Sequence, residues 1–269
     1  MNYLVGFFPD KSFLEGNTVD LRQIVSRVSE GLVAVDKSTT AIRFNRRNGE
    51  VYDPGVKTLS EPDFVAELAL WWETAYPSDF VSVGKSCQCS PSQISNPELE
   101  HRYTNTPRAK CDFRFSSDGS AMEMPEWAIE FKHIALVGNN GKNNDYGTAK
   151  MLSPYLKDRS LLHDIERMRH DPQGKKQAVI GYCFEYSFES LDFAEKIHPG
   201  KLDVIGNIRT VCRSVDRKRG VYSPLDLIDF ADEIYTKRGL VSPVVSSQFS
   251  SAWKHPAGGD GHIFAWQLI

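Results

Sequence analysis

Apolar residues return every three to four positions in several stretches of the chain, which is the spacing of an amphipathic helix. This pattern predicts helices over 19–31, 60–76, 153–170, 189–197 and 223–237. Thr18, Ser60 and Ser223 stand at the start of three of these helices and are the expected N-caps. In the second helix Glu67 lies at the edge of the apolar sector, so its carboxylate can face a site beside the core.

Short apolar or alternating runs between these helices indicate strands. We predict strands over 3–8, 79–83, 110–116, 126–137, 176–186, 202–209 and 262–268. An Asn-Gly pair at 48–49 predicts a hairpin turn, and an Asp-Gly pair at 118–119 predicts that the two strands flanking it pair as antiparallel neighbours. Residues 86–107 are rich in Ser, Pro, Asn and Gln, which is typical of a loop or insertion.

The order of these elements predicts an α/β fold in which a mixed central β-sheet is flanked by helices. The length of 269 residues fits one large domain or a core with additions. We expect an N-terminal accessory layer over 1–59, a core over 60–186 and a C-terminal elaboration over 187–269, packed on the core.

Composition and charge narrow the class of protein. The chain is 41% hydrophobic and 25% charged, close to the globular average. Its formal net charge of -3 provides no overall basic field, so a polyanionic partner would need clustered basic residues. The apolar runs are shorter than the roughly 20 residues of a membrane-spanning helix, and the start lacks the features of a signal peptide. We therefore expect a cytoplasmic protein without membrane contact.

Three polar residues lie on the adjacent predicted strands of the core: Asp112, Glu130 and Lys132. Because side chains alternate along a strand, Glu130 and Lys132 share one face while Phe131 takes the other. If the strands pair across 118–119, Asp112 lies beside Glu130. Two carboxylates with a carbonyl or a water make a hard oxygen site suited to Mg²⁺. The alternative is a solvent-facing Glu130 and Lys132 on an edge strand, with Asp112 capping a turn.

This arrangement resembles the signature of the PD-(D/E)xK, or restriction-endonuclease-like, nuclease superfamily. The signature is an Asp on one strand and Glu-x-Lys on the next, preceded by an acidic helix and followed by a helix and a strand. Cys111 stands where the signature has Pro. The resemblance covers residues 60–186, under half of the chain, and implies a restriction-endonuclease-like core.

The resemblance also implies Mg²⁺-dependent hydrolysis of phosphodiester bonds in DNA, by a bacterial restriction or defence enzyme. Asp112 and Glu130 would hold the Mg²⁺ ion, for which Mn²⁺ can substitute. Lys132 would orient the attacking water or help to deprotonate it, and Glu67 would be a further acidic or second-metal position. For Glu67 the alternative is a solvated carboxylate at the edge of an amphipathic helix.

Basic residues cluster around the helix that follows the Glu-x-Lys strand. Those we expect to bind nucleic acid are Lys142, Lys157, Arg159, Arg167 and Lys175. The alternative for the helix is a solvated face on which these cations pair with Asp158, Asp164 and Glu166.

Two further readings stay open at this point. The chain could be a catalytically silent nucleic-acid-binding or protein-interaction module of the same fold, or the cleaved polymer could be RNA. Many members of the superfamily act as homodimers, because cutting two strands takes two sites. A homodimer is therefore a possible form of this protein as well.

Overall fold

The computed structural model describes residues 18–39, 43–44, 51–52, 55–56, 59–81, 85–87, 102–103, 106–134, 150–153, 159–187, 214–216, 221–252 and 259–269. The predicted strands over 3–8 and 202–209 and the predicted helix over 189–197 lie outside these residues.

The described elements are helices and mostly short strands. The helices are α1 (Leu21–Ser38), α2 (Glu61–Ala75), α3 (Leu161–His170) and α4 (Leu225–Lys237). The strands are β1 (Arg43–Phe44), β2 (Val51–Tyr52), β3 (Lys85–Cys87), β4 (Arg102–Tyr103), β5 (Thr106–Lys110), β6 (Phe113–Phe115), β7 (Trp127–His133), β8 (Lys176–Phe184), β9 (Tyr186–Ser187), β10 (Ser214–Asp216), β11 (Val221–Ser223), β12 (Val245–Phe249) and β13 (Gly261–Gln267).

A six-stranded sheet with the strand order β12-β13-β8-β7-β6-β3 forms the centre of the fold. β7 and β8 run parallel, and the other neighbouring strands run antiparallel. The mixed central sheet and the antiparallel pairing of β6 with β7 are therefore confirmed. The segment after residue 186 contributes β12 and β13 to this sheet.

Helices cover both faces of the sheet. Residues of α1 and α2 share one hydrophobic core with alternate residues of the sheet, including Ile129 and Phe131. Residues of α3 and α4 form the second core, which takes in Ala128 from the same strand. Because strand side chains alternate, Glu130 and Lys132 lie on the α3 side, as their spacing predicts. β7 is buried on both faces, so it is a central strand and not an exposed edge.

α2 begins and ends where its sequence predicts. The hydroxyl of Ser60 accepts a hydrogen bond from the backbone N–H of Asp63, and Pro62 occupies the first turn. The helix ends at Ala75, with Tyr76 as its C-cap. This precise start matters for the site, because it points the first turn of α2 toward the end of β7.

α1 differs from its prediction at both ends. Its N-cap is Asp20, whose carboxylate accepts a hydrogen bond from the backbone of Gln23 in a reciprocal capping box, so Thr18 is not the cap. Gly31 does not end the helix, which continues to Ser38. A Cβ atom at Gly31 would lie 2.3 Å from a methyl carbon of Leu68. This glycine therefore allows α1 and α2 to approach closely.

Three other boundaries were predicted wrongly. A 3₁₀ helix spans Pro77–Asp79 where a strand was expected to start, because Asp79 turns inward to accept hydrogen bonds from the Trp72 indole (2.8 Å) and from Arg27 (3.1 Å). The helix expected over 153–170 begins at Leu161 after the N-cap Ser160, and residues 154–158 lie outside the described residues. Ser223 lies in β11, so α4 follows Pro224 without a side-chain cap.

No helix in the part of the chain that the structure describes is long and apolar enough to cross a membrane.

A candidate active site at the end of β7

The candidate site begins where β6 separates from β7. Phe113 and Ile129 form the final backbone pair at this end of the two strands. One residue farther, the carboxylate of Asp112 accepts a hydrogen bond from the backbone N–H of Phe131 at 2.8 Å. A side chain thus replaces the backbone of β6 as the partner of β7.

A second carboxylate continues this edge of β7. Glu61 Oε2 accepts a hydrogen bond from the backbone N–H of His133 at 3.0 Å. Ile129, Phe131 and His133 are alternate residues, so their backbone N–H groups point to the same edge of the strand. Asp112 and Glu61 therefore satisfy consecutive backbone donors that β6 leaves without a strand partner. The gap also lets side chains from both faces of the sheet meet.

α3 supplies the other side of the site. Lys132 Nζ lies 3.0 Å from Asp164 Oδ2 and 3.2 Å from Glu61 Oε1. Arg167 Nη2 lies 2.9 Å from Glu130 Oε1 and 2.9 Å from Asp164 Oδ1. Because α3 runs opposite to β7, its Asp164 meets Lys132 and its Arg167 meets Glu130. Their i, i+3 spacing places both α3 residues on the face that packs against the strand.

The site is buried and rich in charge. The side chains of Glu130 and Asp164 are only 3% and 2% exposed. Four carboxylates, those of Glu61, Asp112, Glu130 and Asp164, act electrostatically on Lys132, and Glu130 and Asp164 also contact Arg167. Lys150 is a third cation at the margin, with its ammonium 3.5 Å from the carbonyl oxygen of His133. Buried carboxylates are costly unless cations or hydrogen-bond donors compensate them.

The pKa values of two central groups reflect this crowding. Burial and the negative charges of Glu130 and Glu61 raise the pKa of Asp112 well above its ordinary value, although Lys132 opposes the rise. Burial alone would lower the pKa of Lys132, but Asp164, Glu61, Asp112 and Glu130 outweigh it and leave a net rise. Lys132 is therefore held as an ammonium cation, and a further cation near Asp112 would relieve the repulsion between the carboxylates.

The structure brings Asp112, Glu130 and Lys132 together at this site. Glu67 does not join them, since it is exposed on α2 and lies about 240° around the helix axis from Glu61. The acidic residue that α2 contributes is Glu61, from its first turn, and not Glu67. From the sequence alone, Glu61 is only a favourable negative charge at the N-terminus of α2.

The expected nucleic-acid-binding residues are in different places. Arg167 points into the site, where its side chain is 16% exposed. Arg159 is exposed just before α3. Lys175 immediately precedes β8 and lies roughly 20 Å along that strand from Tyr182, the residue opposite His133. Its ammonium contacts Asp118 and Ser120. Lys142 and Lys157 lie outside the described residues.

Sequence reasoning assigned no role at the site to Glu61 or Asp164. For Asp164 the sequence predicts only a pairing with surface cations. Asp164 and Arg167 are three residues apart on the helix that follows the Glu-x-Lys strand, so they lie on one face of that helix. This spacing is the signal in the sequence that could have identified Asp164. For Glu61 the sequence carries no comparable signal, because its contact with Lys132 depends on how α2 packs against the sheet.

The donor set fits a divalent ion with few protein ligands. Within the described ranges, no group of three or more His, Cys, Asp or Glu side chains is arranged to hold a metal ion. Mg²⁺ commonly keeps several waters and binds only one or two protein carboxylates, so Asp112 and Glu130 would be enough as its protein ligands. Their crowded negative charge favours such an ion.

Comparisons of the chain with protein-family models, with curated proteins and with solved structures find no match. The function of the site must therefore be inferred from its own residues.

Proposed function

We propose that this protein is a Mg²⁺-dependent endonuclease that hydrolyses phosphodiester bonds in DNA, with a restriction-endonuclease-like core. The observation that carries the proposal is the meeting of Asp112, Glu130 and Lys132 at the diverging ends of β6 and β7. Asp112 binds the backbone N–H of Phe131, which lies between the other two residues in the sequence. All three side chains are buried in a site with more carboxylates than cations.

Asp112 and Glu130 would hold the ion, and Mn²⁺ would substitute for Mg²⁺. A bound divalent ion lowers the pKa of a coordinated water and stabilises the added negative charge of the transition state. The raised pKa of Asp112 supports this role, because part of the rise comes from the nearby charge of Glu130. A cation between the two carboxylates would offset that repulsion.

Lys132 contributes positive charge and orientation in this proposal. Asp164 and Glu61 hold its ammonium group from two directions, at 3.0 and 3.2 Å. Because these carboxylates keep its pKa above the ordinary value, Lys132 stays protonated at neutral pH. It is therefore suited to stabilise charge on the phosphate and to orient the attacking water, but not to accept a proton.

The wider setting is also part of the proposal. The enzyme would act in bacterial restriction or defence and would bind DNA through basic residues such as Arg159, which is exposed just before α3. Cutting both strands of a duplex would take two sites and hence a homodimer.

The test is cleavage of supercoiled plasmid in the presence of Mg²⁺ by the wild-type protein, Lys132→Ala and the matched variant Lys237→Ala, whose lysine is exposed at the end of α4. We expect the wild type and Lys237→Ala to cleave, and Lys132→Ala to be slower by about 100-fold or more. Equal nicking by all three proteins would identify a contaminating nuclease and contradict the proposal.

Two further assays separate the alternatives. Failure of all three proteins to cleave DNA or single-stranded RNA, with either Mg²⁺ or Mn²⁺, would reject the nuclease. Binding of DNA in a gel-shift assay without cleavage would then favour the catalytically silent module. Cleavage of RNA alone would change the substrate and retain the metal-dependent chemistry.

A further inference from the structure

Beside the candidate site, Tyr182 presents a buried hydroxyl group that has no hydrogen-bond partner among the described residues. The residue lies in β8 opposite His133 of β7, and its ring stacks on the His133 ring with a centroid distance of 4.7 Å and an interplanar angle of 5°. The ring of Phe64 in α2 packs against the Tyr182 ring with a centroid distance of 4.7 Å. The residue is 0% exposed, and its hydroxyl makes no hydrogen bond to any described residue. Buried polar groups nearly always have a partner, which can be an ordered water.

The surroundings of the hydroxyl are negatively charged. Burial, followed by the charges of Glu61 and Asp112, raises the pKa of Tyr182 well above its ordinary value. The hydroxyl therefore remains protonated and acts as a hydrogen-bond donor. Glu61 and Asp112 bind consecutive N–H groups of β7, but a carboxylate accepts more hydrogen bonds than these contacts use. Both carboxylates bind this end of β7, where Tyr182 lies opposite His133, and their charges act on the Tyr182 hydroxyl.

The hydroxyl donor and the two carboxylate acceptors determine which small molecule can bind beside Tyr182. A phosphate oxygen would meet repulsion from both carboxylates. A water molecule can donate its two O–H groups to Glu61 and Asp112 and accept the hydrogen bond of Tyr182. Water therefore matches all three groups, whereas an anion matches only the tyrosine.

We propose that Tyr182 holds a water molecule against the carboxylates of Glu61 and Asp112, and that this water is the nucleophile of the hydrolysis. The second part rests on the proposed nuclease function. The water oxygen forms a bond to phosphorus as the bond from phosphorus to the leaving sugar oxygen breaks. The proton of the water passes to the carboxylate of Glu61, since Asp112 would hold the ion, and the leaving oxygen takes a proton from solvent. Tyr182 is then a positioning residue that directs a lone pair of the water toward the phosphate.

Crystal structures of the wild type and Tyr182→Phe test the water site without requiring activity. We expect an ordered water within hydrogen-bond distance of the Tyr182 hydroxyl and of at least one of the two carboxylates, and its loss in the variant. A wild-type structure without such a water would overturn the proposal.

Kinetics test the role of the water. Tyr182→Phe should lower kcat by about 10-fold and leave KM unchanged, because one oriented hydrogen bond to the reacting water is lost. The matched control is Tyr235→Phe, which removes a buried hydroxyl that donates to the carbonyl of Met151 in the other core and should retain kcat. An unchanged kcat in Tyr182→Phe would reject the nucleophile assignment. If the wild type cleaves no nucleic acid, the nuclease proposal fails while the crystal structures still decide the water site.

Discussion

Arg167 and Glu130 form an ion pair in which Nη2 of the guanidinium lies 2.9 Å from Oε1 of the carboxylate. The same nitrogen lies 2.9 Å from Asp164 Oδ1. Arg167 therefore compensates one of the two carboxylates that would hold a divalent ion. A divalent ion that binds Glu130 has to compete with this guanidinium. Substitution of Arg167 therefore tests the proposed metal site directly.

Replacing Arg167 by Leu should make the protein depend on divalent ions. Without them, we expect the free energy of unfolding to fall by about 3 kcal/mol, because Glu130 and Asp164 lose a buried partner. Mn²⁺ should then stabilise the variant more than it stabilises the wild type. Urea unfolding with and without Mn²⁺ measures both effects.

Arg169→Leu is the control for this experiment, because Arg169 is exposed on the same helix. It should leave both the stability and the response to Mn²⁺ close to those of the wild type. An identical response of Arg167→Leu and the wild type to Mn²⁺ would contradict a metal site at Glu130. A large loss of DNA affinity in Arg167→Leu, with an unchanged Mn²⁺ response, would support the original assignment of Arg167 to nucleic-acid binding.

Glu61 and Glu67 provide a matched pair on one helix. Glu61→Gln can still accept the hydrogen bond from the backbone of His133, but it loses the charge that holds Lys132. We expect its cleavage rate to fall by about 10-fold or more. Glu67→Gln should cleave at the wild-type rate because Glu67 is exposed. Initial rates of plasmid nicking compare the two, and the reverse order of activities would show that Glu67 is the functional carboxylate.

Asp112 should make stability depend on pH in an unusual direction. Burial and the charge of Glu130 raise its pKa in the folded state, so the folded protein binds this proton more tightly than the unfolded chain does. Asp112 contributes its full stabilisation below about pH 4, the ordinary pKa of an aspartate. This stabilisation is lost as the pH rises through the raised pKa of the folded state. At pH 7, Asp112→Asn should therefore be more stable than the wild type.

The pH series needs a carboxylate with the opposite behaviour as its control. Slight burial raises the pKa of Asp118, but hydrogen bonds from Ser120 and the charge of Lys175 have the larger, opposite effect. The pKa of Asp118 is therefore lowered overall. Its contribution is present above about pH 4 and is lost as the pH falls. Asp118→Asn should therefore be less stable than the wild type at neutral pH. Urea unfolding between pH 4 and pH 8 should give differences of opposite sign for the two variants, and equal signs would refute the Asp112 prediction.

Gly181 tests the packing that supports Lys132. It lies opposite Lys132 in the parallel β7–β8 pair, and a Cβ atom there would lie 2.1 Å from the Phe264 ring. Gly181→Ala should destabilise the protein by about 1–3 kcal/mol through overpacking. Adding Phe264→Leu should recover part of that loss, because the two sites are in contact. Additive effects in the double variant would show that Phe264 is not the obstacle.

Local sequence patterns predicted the parts of this protein whose cause is local. Ser60 and Pro62 marked the start of α2, because a helix start depends on side chains within one turn. The alternation of side chains predicted that Glu130 and Lys132 share a face of β7, and the Asp118-Gly119 pair predicted antiparallel pairing of β6 with β7. The same reasoning missed the continuation of α1 past Gly31, since the space that this glycine opens is filled by Leu68 of another helix.

Only the tertiary structure decided which side chains complete the site. The sequence offers both Glu61 and Glu67 on one helix, and the packing of α2 against the sheet places Glu61 beside Lys132. It also offers Arg167 as a surface cation, and the antiparallel course of α3 along β7 turns that cation toward Glu130. Periodicity reports which face of an element is apolar, but not how far one element is shifted or rotated against another. That relative placement results from the burial of apolar side chains contributed by distant parts of the chain.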